Sequence, residues 1–146
     1  SADPKWGRII KRDAATGREL EILTVDRTEA AQTGPAMTRV SGDSRMIFAV
    51  TTPNTAGDPI LLTTWDAATG ERKSSLRIPP EAQSTHQGYD LSPDGRVLST
   101  NRGAFGLGDG NRNLLDAVKL RTLFEPGEFS ADGRWLTLVG FETDDK

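Results

Sequence analysis

Trp65-Asp66-Ala67-Ala68-Thr69-Gly70 occurs nearly unchanged earlier in the chain, as Arg12-Asp13-Ala14-Ala15-Thr16-Gly17. A second turn alternates with it in three versions: Ser41-Gly42-Asp43-Ser44-Arg45, Ser92-Pro93-Asp94-Gly95-Arg96 and Ser130-Ala131-Asp132-Gly133-Arg134. Each turn is flanked by apolar segments. Two recurring turns of this kind indicate a chain that is built from repeats.

The distance between equivalent turns predicts the size of the repeat. Asp66 follows Asp13 by 53 residues, and Asp94 follows Asp43 by 51 residues, which is close to the roughly 40–50 residues of a four-stranded propeller blade. The intervening segments are short, rich in β-branched and apolar residues and without a helical period, so they predict an all-β chain. The expected strands are 9–12, 19–25, 45–52, 59–65, 73–78, 89–91, 96–100 and 135–139.

The turns contain residues that suit tight bends. Proline presets φ, aspartate accepts hydrogen bonds from nearby backbone amides, and glycine adopts a positive φ without steric cost. Ser44 stands where the two other versions have glycine, which predicts a different or more strained turn there. We assign a structural turn role to Asp66, Thr69, Gly70, Asp94, Gly95, Asp132 and Gly133.

These signatures resemble those of WD-repeat β-propellers, from about Ile9 to Val139. In that family the Trp65–Gly70 motif ends the third strand of a blade, and the Ser-Pro-Asp-Gly-Arg turn joins the first and second strands. The resemblance implies that Trp65 packs between blades. The glycine–histidine pair of the family is missing, and arginine and leucine replace tryptophan at Arg12 and Leu115. The chain therefore resembles a degenerate, bacterial-style member.

In the blade order of that family, residues 1–146 form one partial propeller of four-stranded antiparallel blades, open as a single chain. It comprises a half blade at 9–25, a blade at 36–78, an irregular blade at 88–124 and a half blade at 128–139. Only 16 residues separate Asp116 from Asp132, so we expect Val118–Phe124 as an outer strand and a very short or missing strand before Ser130. About three blades cannot close a ring, since propellers have about 4–8.

Composition excludes several classes of partner. The net charge of −3 comes from 18 basic and 21 acidic residues that are spread along the chain, so no basic stripe predicts nucleic-acid binding. No apolar run is long enough to cross a bilayer, and we expect no membrane partner. The chain has no cysteine, which removes disulfide and thiolate chemistry but does not identify a compartment.

Two polar groupings invite a chemical interpretation. Asp43, Asp94 and Asp132 could suggest a metal site, but each occupies its own turn, so we expect them on one rim, well separated and structural. His86 with Ser84 and Asp90 could suggest part of a catalytic triad, yet nothing supplies a nucleophile elbow. We therefore predict no catalytic residue, metal or cofactor, and no enzyme.

The glycine-rich stretch Gly103–Asn111 could suggest a phosphate loop. Such a loop needs a helix behind it and usually a lysine, whereas a strand is expected next and Arg112 is the nearest cation. We interpret the stretch as a flexible loop between the second and third strands of a blade, and as the most suitable place for binding.

The other two tryptophans are not equivalent to Trp65. Packing is also expected for Trp135, and partial exposure for Trp6.

The preferred function is a non-catalytic protein-interaction scaffold whose ring is completed by self-association or by the rest of a larger chain. Its two half blades leave strand edges that can pair with another chain. The expected closure interface comprises Ile9, Ile10, Arg12, Trp135, Leu136, Leu138 and Val139. A homodimer would give about six blades, within the usual range; any other protein partner is unknown. The alternatives are an accessory propeller of a hydrolase and a sensor or regulatory domain of a larger signalling protein.

Overall fold

The computed structural model describes residues 8–24, 32–53, 60–83, 88–108, 114, 122–123 and 127–141. These residues form antiparallel strands and one short 3-10 helix, Pro80–Ala82. The strands β1 to β13 are, in order, Arg8–Arg12, Glu19–Thr24, Gln32–Val40, Met46–Pro53, Ile60–Asp66, Arg72–Ile78, Tyr89–Leu91, Val97–Thr100, Gly103–Gly106, Thr122–Leu123, Glu128–Phe129, Leu136–Thr137 and Gly140–Phe141. In this part of the chain no helix has the length and apolar character needed to cross a membrane.

The strands form a series of small sheets, each made from consecutive segments. β1 pairs with β2, β3 to β6 form a four-stranded sheet, β7 to β9 form a three-stranded sheet, and β11 pairs with β12. The seven expected strands from 9–12 to 96–100 are each present within one or two residues, whereas the expected strand 135–139 is divided between β12 and β13. The division of the chain into blades at the four predicted boundaries stays a prediction.

The central strands of the four-stranded sheet are buried on both faces. Phe48 and Val50 of β4 pack with Leu91, Leu98 and other residues of the β7–β9 sheet. Ile47 and Ala49, which alternate with them, pack with Leu23 of β2. All side chains from Ile60 to Trp65 are likewise buried. Continuous burial along a strand is typical of a sheet that lies between two others, so the sheets are stacked face to face.

The three serine-containing turns share one geometry. In each, the amide of the fourth residue donates to the carbonyl of the serine, at 2.9 Å for Ser44, 2.8 Å for Gly95 and 2.9 Å for Gly133. The φ angles of these residues are 60°, 74° and 71°. Ser44 is therefore the strained version that the sequence predicted, because a side chain is disfavoured in this left-handed region.

Replacing Ser44 with glycine is expected to stabilise the protein by about 0.5–1 kcal/mol, the net of relieved left-handed strain and the greater chain entropy of glycine. The reciprocal change in an equivalent turn, Gly133→Ser, should destabilise it by about 1 kcal/mol. Chemical denaturation monitored by tryptophan fluorescence measures both. A loss of stability in Ser44→Gly would contradict the strain at Ser44.

The glycine-rich stretch is a strand where it begins. Gly103–Gly106 forms β9 and pairs with β8 across a tight hairpin, with Thr100 opposite Gly103. The interpretation of 103–111 as a loop is therefore wrong for its first four residues, and 109–111 lie outside the described residues. Gly103 supplies the positive φ of 150° next to the bend, and Phe105 packs in the core. The glycines mark a close hairpin rather than a loop.

The expected outer strand Val118–Phe124 is also wrong where the structure describes it. Thr122 and Leu123 pair with Phe141 and Gly140, next to the pairing of β11 with β12. They therefore extend the last hairpin. The chain contacts the edge of β9 before the expected strand 118–124 begins. There the amide of Leu114 donates to the carbonyl of Ala104 at 2.7 Å. Residues 118–121 and 124 lie outside the described residues.

A very short strand before Ser130 was expected, and this prediction is confirmed. β11 has two residues, Glu128 and Phe129. Gly127 precedes it and is buried. A Cβ on Gly127 would lie 2.2 Å from the carbonyl oxygen of Thr137, so glycine is required where the two strands of the hairpin approach each other.

Candidate functional site

Asp90 connects three sheets from the middle of β7. One of its carboxylate oxygens accepts a hydrogen bond from the guanidinium of Arg39 in β3. The other accepts one from the amide of Phe129 in β11 at 2.8 Å. Asp90 is buried, so this ion pair holds the first strands of neighbouring sheets together. Both carboxylate oxygens of Asp90 are engaged in these contacts.

Sequence reasoning missed this role of Asp90. The only signal was a lone carboxylate in the strand Tyr89–Leu91. A carboxylate between two buried residues is itself buried, and burying its charge is costly unless the charge is paired. The other two members of the supposed triad, His86 and Ser84, lie outside the described residues, as does Trp6.

A second hydrogen bond joins the last hairpin to the β7–β9 sheet. The amide of Gly127 donates to the hydroxyl of Ser99 at 2.8 Å.

The three serine-containing turns meet at one groove of about 700 Å³. The amide of Gly42 donates to the carbonyl of Pro93 at 3.1 Å, and the ring of Pro93 lies next to Gly133. The three aspartates expected on one rim therefore line one groove, because equivalent turns of stacked sheets touch. Met46, Phe48 and Arg96 line the groove together with the three turns.

The three aspartates of this groove serve their own turns. In each turn the serine hydroxyl donates to the carboxylate at 2.6 Å. The amide of the following arginine donates to the same oxygen at 3.0–3.1 Å. Within the described parts of the chain, no group of three or more His, Cys, Asp or Glu residues could hold a metal ion.

These hydrogen bonds lower the pKa of the aspartates. The pKa of Asp43 and that of Asp132 fall below the ordinary value of 3.8, mainly because of the serine hydroxyl and then the arginine amide. Burial raises the pKa of Asp94, but its Ser92 and Arg96 contacts outweigh that effect. A carboxylate with a lowered folded pKa stabilises the fold above its unfolded value, and this contribution is lost as pH falls through the folded value.

Ser130→Ala is expected to raise the pKa of Asp132 towards 3.8, because the largest stabilising contact of the carboxylate is removed. The pKa of Asp43 should stay low in the same variant, since its own serine is intact. Carboxyl carbon chemical shifts followed by NMR from pH 2 to pH 6 measure both titrations. An unchanged Asp132 would contradict the turn geometry.

The Thr-Gly turns are built by a second, equally regular pattern. One oxygen of Asp66 accepts hydrogen bonds from the amides of Ala68 and Thr69, both at 2.9 Å. Gly70 follows with a φ of 69°, and the hydroxyl of Thr69 accepts from the amide of Glu71 at 3.3 Å. The Asp13–Gly17 turn has the same arrangement. The two turns are therefore equivalent in structure as well as in sequence.

Trp65 lies between the β1–β2 pair and the four-stranded sheet. Its side chain is 2 % exposed and packs with Leu23, Ile47 and Ala49, and Ile9 borders this cluster. The amine of Lys11 also donates to the carbonyl of Ala67. These contacts fix one face of the β1–β2 pair against its neighbour.

The opposite face of the β1–β2 pair is apolar and exposed. Ile10 lies opposite Ile22 across the two strands, and their exposed fractions are 46 % and 41 %. Leu20, two residues before Ile22, is exposed as well. Together these three side chains are called the leading face.

The last hairpin has a similar exposed surface at the other end of the stack. Leu136 and Leu138 are half-buried over Gly127. Trp135 and Val139 alternate with them along the chain and are 68 % and 67 % exposed, so the packing expected for Trp135 is not found among the described residues. These two residues form the trailing face. Of the eight exposed large hydrophobic residues in the described parts of the chain, five lie on the leading and trailing faces. The seven residues of the expected closure interface thus lie at the two ends, with Ile9 turned inward.

Both ends also have a strand edge without a strand partner among the described residues. β1 pairs only with β2, and β12 pairs only with β11. In the four-stranded sheet the corresponding strands, β5 and β4, pair with each other. Each end of the chain therefore resembles half of that sheet.

Comparison with known proteins bears on the fold. No protein-family model matches this chain, and no curated protein matches it in sequence. Among solved structures it is similar to TolB from Acinetobacter baumannii, with 19 % identity and a TM-score of 0.51. The similarity covers 92 % of this chain and 32 % of that one, so the chain spans about a third of the length of TolB, a β-propeller protein. The residues that the structure describes form an all-β segment of propeller type, with antiparallel sheets that do not close into a ring among them.

Proposed function

We propose that this chain is a non-catalytic protein-interaction scaffold, a propeller segment whose two open ends bind further blades supplied by a second copy. The observation that carries the proposal is the pair of exposed apolar faces at opposite ends of the stacked sheets. Contiguous exposed apolar surface is typical of protein interaction sites. Strand edges that have no partner strand in the described part of the chain lie beside both faces and offer backbone hydrogen bonds to the same partner.

The two ends differ, so the contact between copies is head-to-tail. Such a contact forms a ring only if the rotation between copies closes. In the blade order argued from the sequence, one chain contributes about three blades and two chains about six, within the 4–8 blades of known propellers. Two such segments therefore contain enough blades for a ring of ordinary size.

The WD-repeat character of the blades belongs to the same proposal. Its support is the burial of Trp65 between two sheets and the hydrogen-bonded turn that follows it. The non-catalytic part is supported by Asp90 and the turn aspartates, whose carboxylates are engaged in the fold.

Sedimentation velocity with a charged variant on the leading face tests the proposal. Ile22→Asp places a carboxylate at the centre of the contact and should shift the wild-type dimer to monomer at micromolar concentration. Leu76→Asp is the matched control, because Leu76 is an exposed residue of the outer strand β6 and should leave the dimer intact. Equal masses for wild type and Ile22→Asp would contradict the use of this face.

A further inference from the structure

We propose that the segment Leu136–Val139, which begins with β12 and ends before β13, pairs with β1 of the next chain in one defined register, with Leu138 opposite Ile10 and Val139 opposite Ile9. This inference rests on the proposed self-association and specifies its geometry. The two strand pairs would then form one composite four-stranded sheet from two chains.

The register follows from the complete sheet within the chain. There β4 pairs with β5 so that Ala49 lies opposite Thr63 and Val50 opposite Leu62. Leu138 and Val139 follow Asp132 by as many residues as Ala49 and Val50 follow Asp43. Ile10 and Ile9 precede Asp13 by as many residues as Thr63 and Leu62 precede Asp66.

The transfer is justified because the turns that set these positions have the same geometry. Asp132 and Asp43 each accept from their turn serine at 2.6 Å. In the other turn type, the glycine amide donates to the aspartate carbonyl at 2.8 Å for Gly17 and 2.9 Å for Gly70. The strands therefore leave equivalent turns at equivalent residues.

The faces of the two ends agree with this register independently. Ile9 is directed towards the Trp65 cluster, so Val139 opposite it would extend the cover of that cluster. Ile10 is directed the other way, so it would join Leu138 on the side of the hairpin that lies over Gly127. A slip of one residue would place each of these side chains on the wrong face.

The register also accounts for the exposure at both ends. Val139 is 67 % exposed and would be covered by the next chain beside Ile9. Ile10 and Ile22 would be covered by the preceding chain beside Leu138. Arg12 would lie opposite Leu136, where its aliphatic part can cover the leucine while the guanidinium keeps its bond to Glu19.

Cysteine cross-linking tests the register directly, since the chain has no cysteine of its own. One chain with Ile10→Cys is mixed with another with Leu138→Cys, and disulfide-linked dimer is measured by non-reducing electrophoresis after mild oxidation. The matched control pairs Ile10→Cys with Leu136→Cys, on the same face but two residues out of register. A second pair, Ile9→Cys with Val139→Cys, tests the opposite face.

We expect the 10/138 and 9/139 pairs to cross-link at least about tenfold more than the 10/136 control, because directly opposite Cβ atoms are about 4.5–5.5 Å apart and diagonal ones about 7–8 Å. Equal yields, or a higher yield for the control, would overturn the register. If the mixed chains are dimers by light scattering and no pair cross-links, the register is wrong and self-association stands. If they are monomers at micromolar concentration, both proposals fail.

Discussion

Trp65→Ala is expected to lower the free energy of unfolding by about 3–5 kcal/mol, the usual range for deleting a large aromatic side chain from a core. The side chain is 2 % exposed and is the largest in the cluster between the β1–β2 pair and the four-stranded sheet. Its removal leaves a cavity that two sheets would have to close by moving together. Urea unfolding followed by circular dichroism measures the loss.

Leu76→Ala provides the control for Trp65→Ala, since Leu76 is exposed on the outer strand β6. Its effect should stay within about 1 kcal/mol, as for most surface substitutions away from special features. A Trp65→Ala variant within about 0.5 kcal/mol of wild type, well below the cost of a core deletion, would mean that these two sheets do not pack as described.

Asp90→Ala is expected to cost about 2–4 kcal/mol, towards the lower part of the range for breaking a buried ion pair, because the Arg39 side chain is one-third exposed. The substitution leaves both the guanidinium of Arg39 and the amide of Phe129 without their acceptor. Thermal and urea unfolding measure the loss.

The double variant Arg39→Ala/Asp90→Ala separates the ion pair from other effects of the substitution. If the unpaired guanidinium causes much of the loss, the double variant is destabilised by less than the sum of the two single variants. Additive effects would show that Asp90 does not hold the first strands together through Arg39.

Local chemistry explains which parts of the fold were predictable. The aspartate, serine and glycine of each turn determine its conformation within five residues, so the turns and the strands that leave them followed from the sequence. Ser44 shows how strongly the other turn residues determine the conformation, since it adopts the same turn with a φ of 60° despite its side chain. The apolar and β-branched residues of β4 and β5 similarly predicted strands, although burial on both faces emerged only from the structure.

The features that were not predicted depend on contacts between distant residues. Gly103–Gly106 has the composition of a loop, and only its pairing with β8 makes it a strand. Thr122 and Leu123 pair with residues near 140, although spacing alone assigned them to the preceding blade. The meeting of the three serine-containing turns follows from the stacking of the sheets, which the sequence does not state.

The molar mass of the wild-type chain in solution is the most direct test of the proposal that this open segment completes its ring with a second copy. Sedimentation equilibrium between about 1 and 50 µM lies above the dissociation constant expected of a specific interface. We expect twice the chain mass of 15.8 kDa across this range. A mass of one chain throughout would contradict self-association and leave the exposed faces without the partner proposed for them.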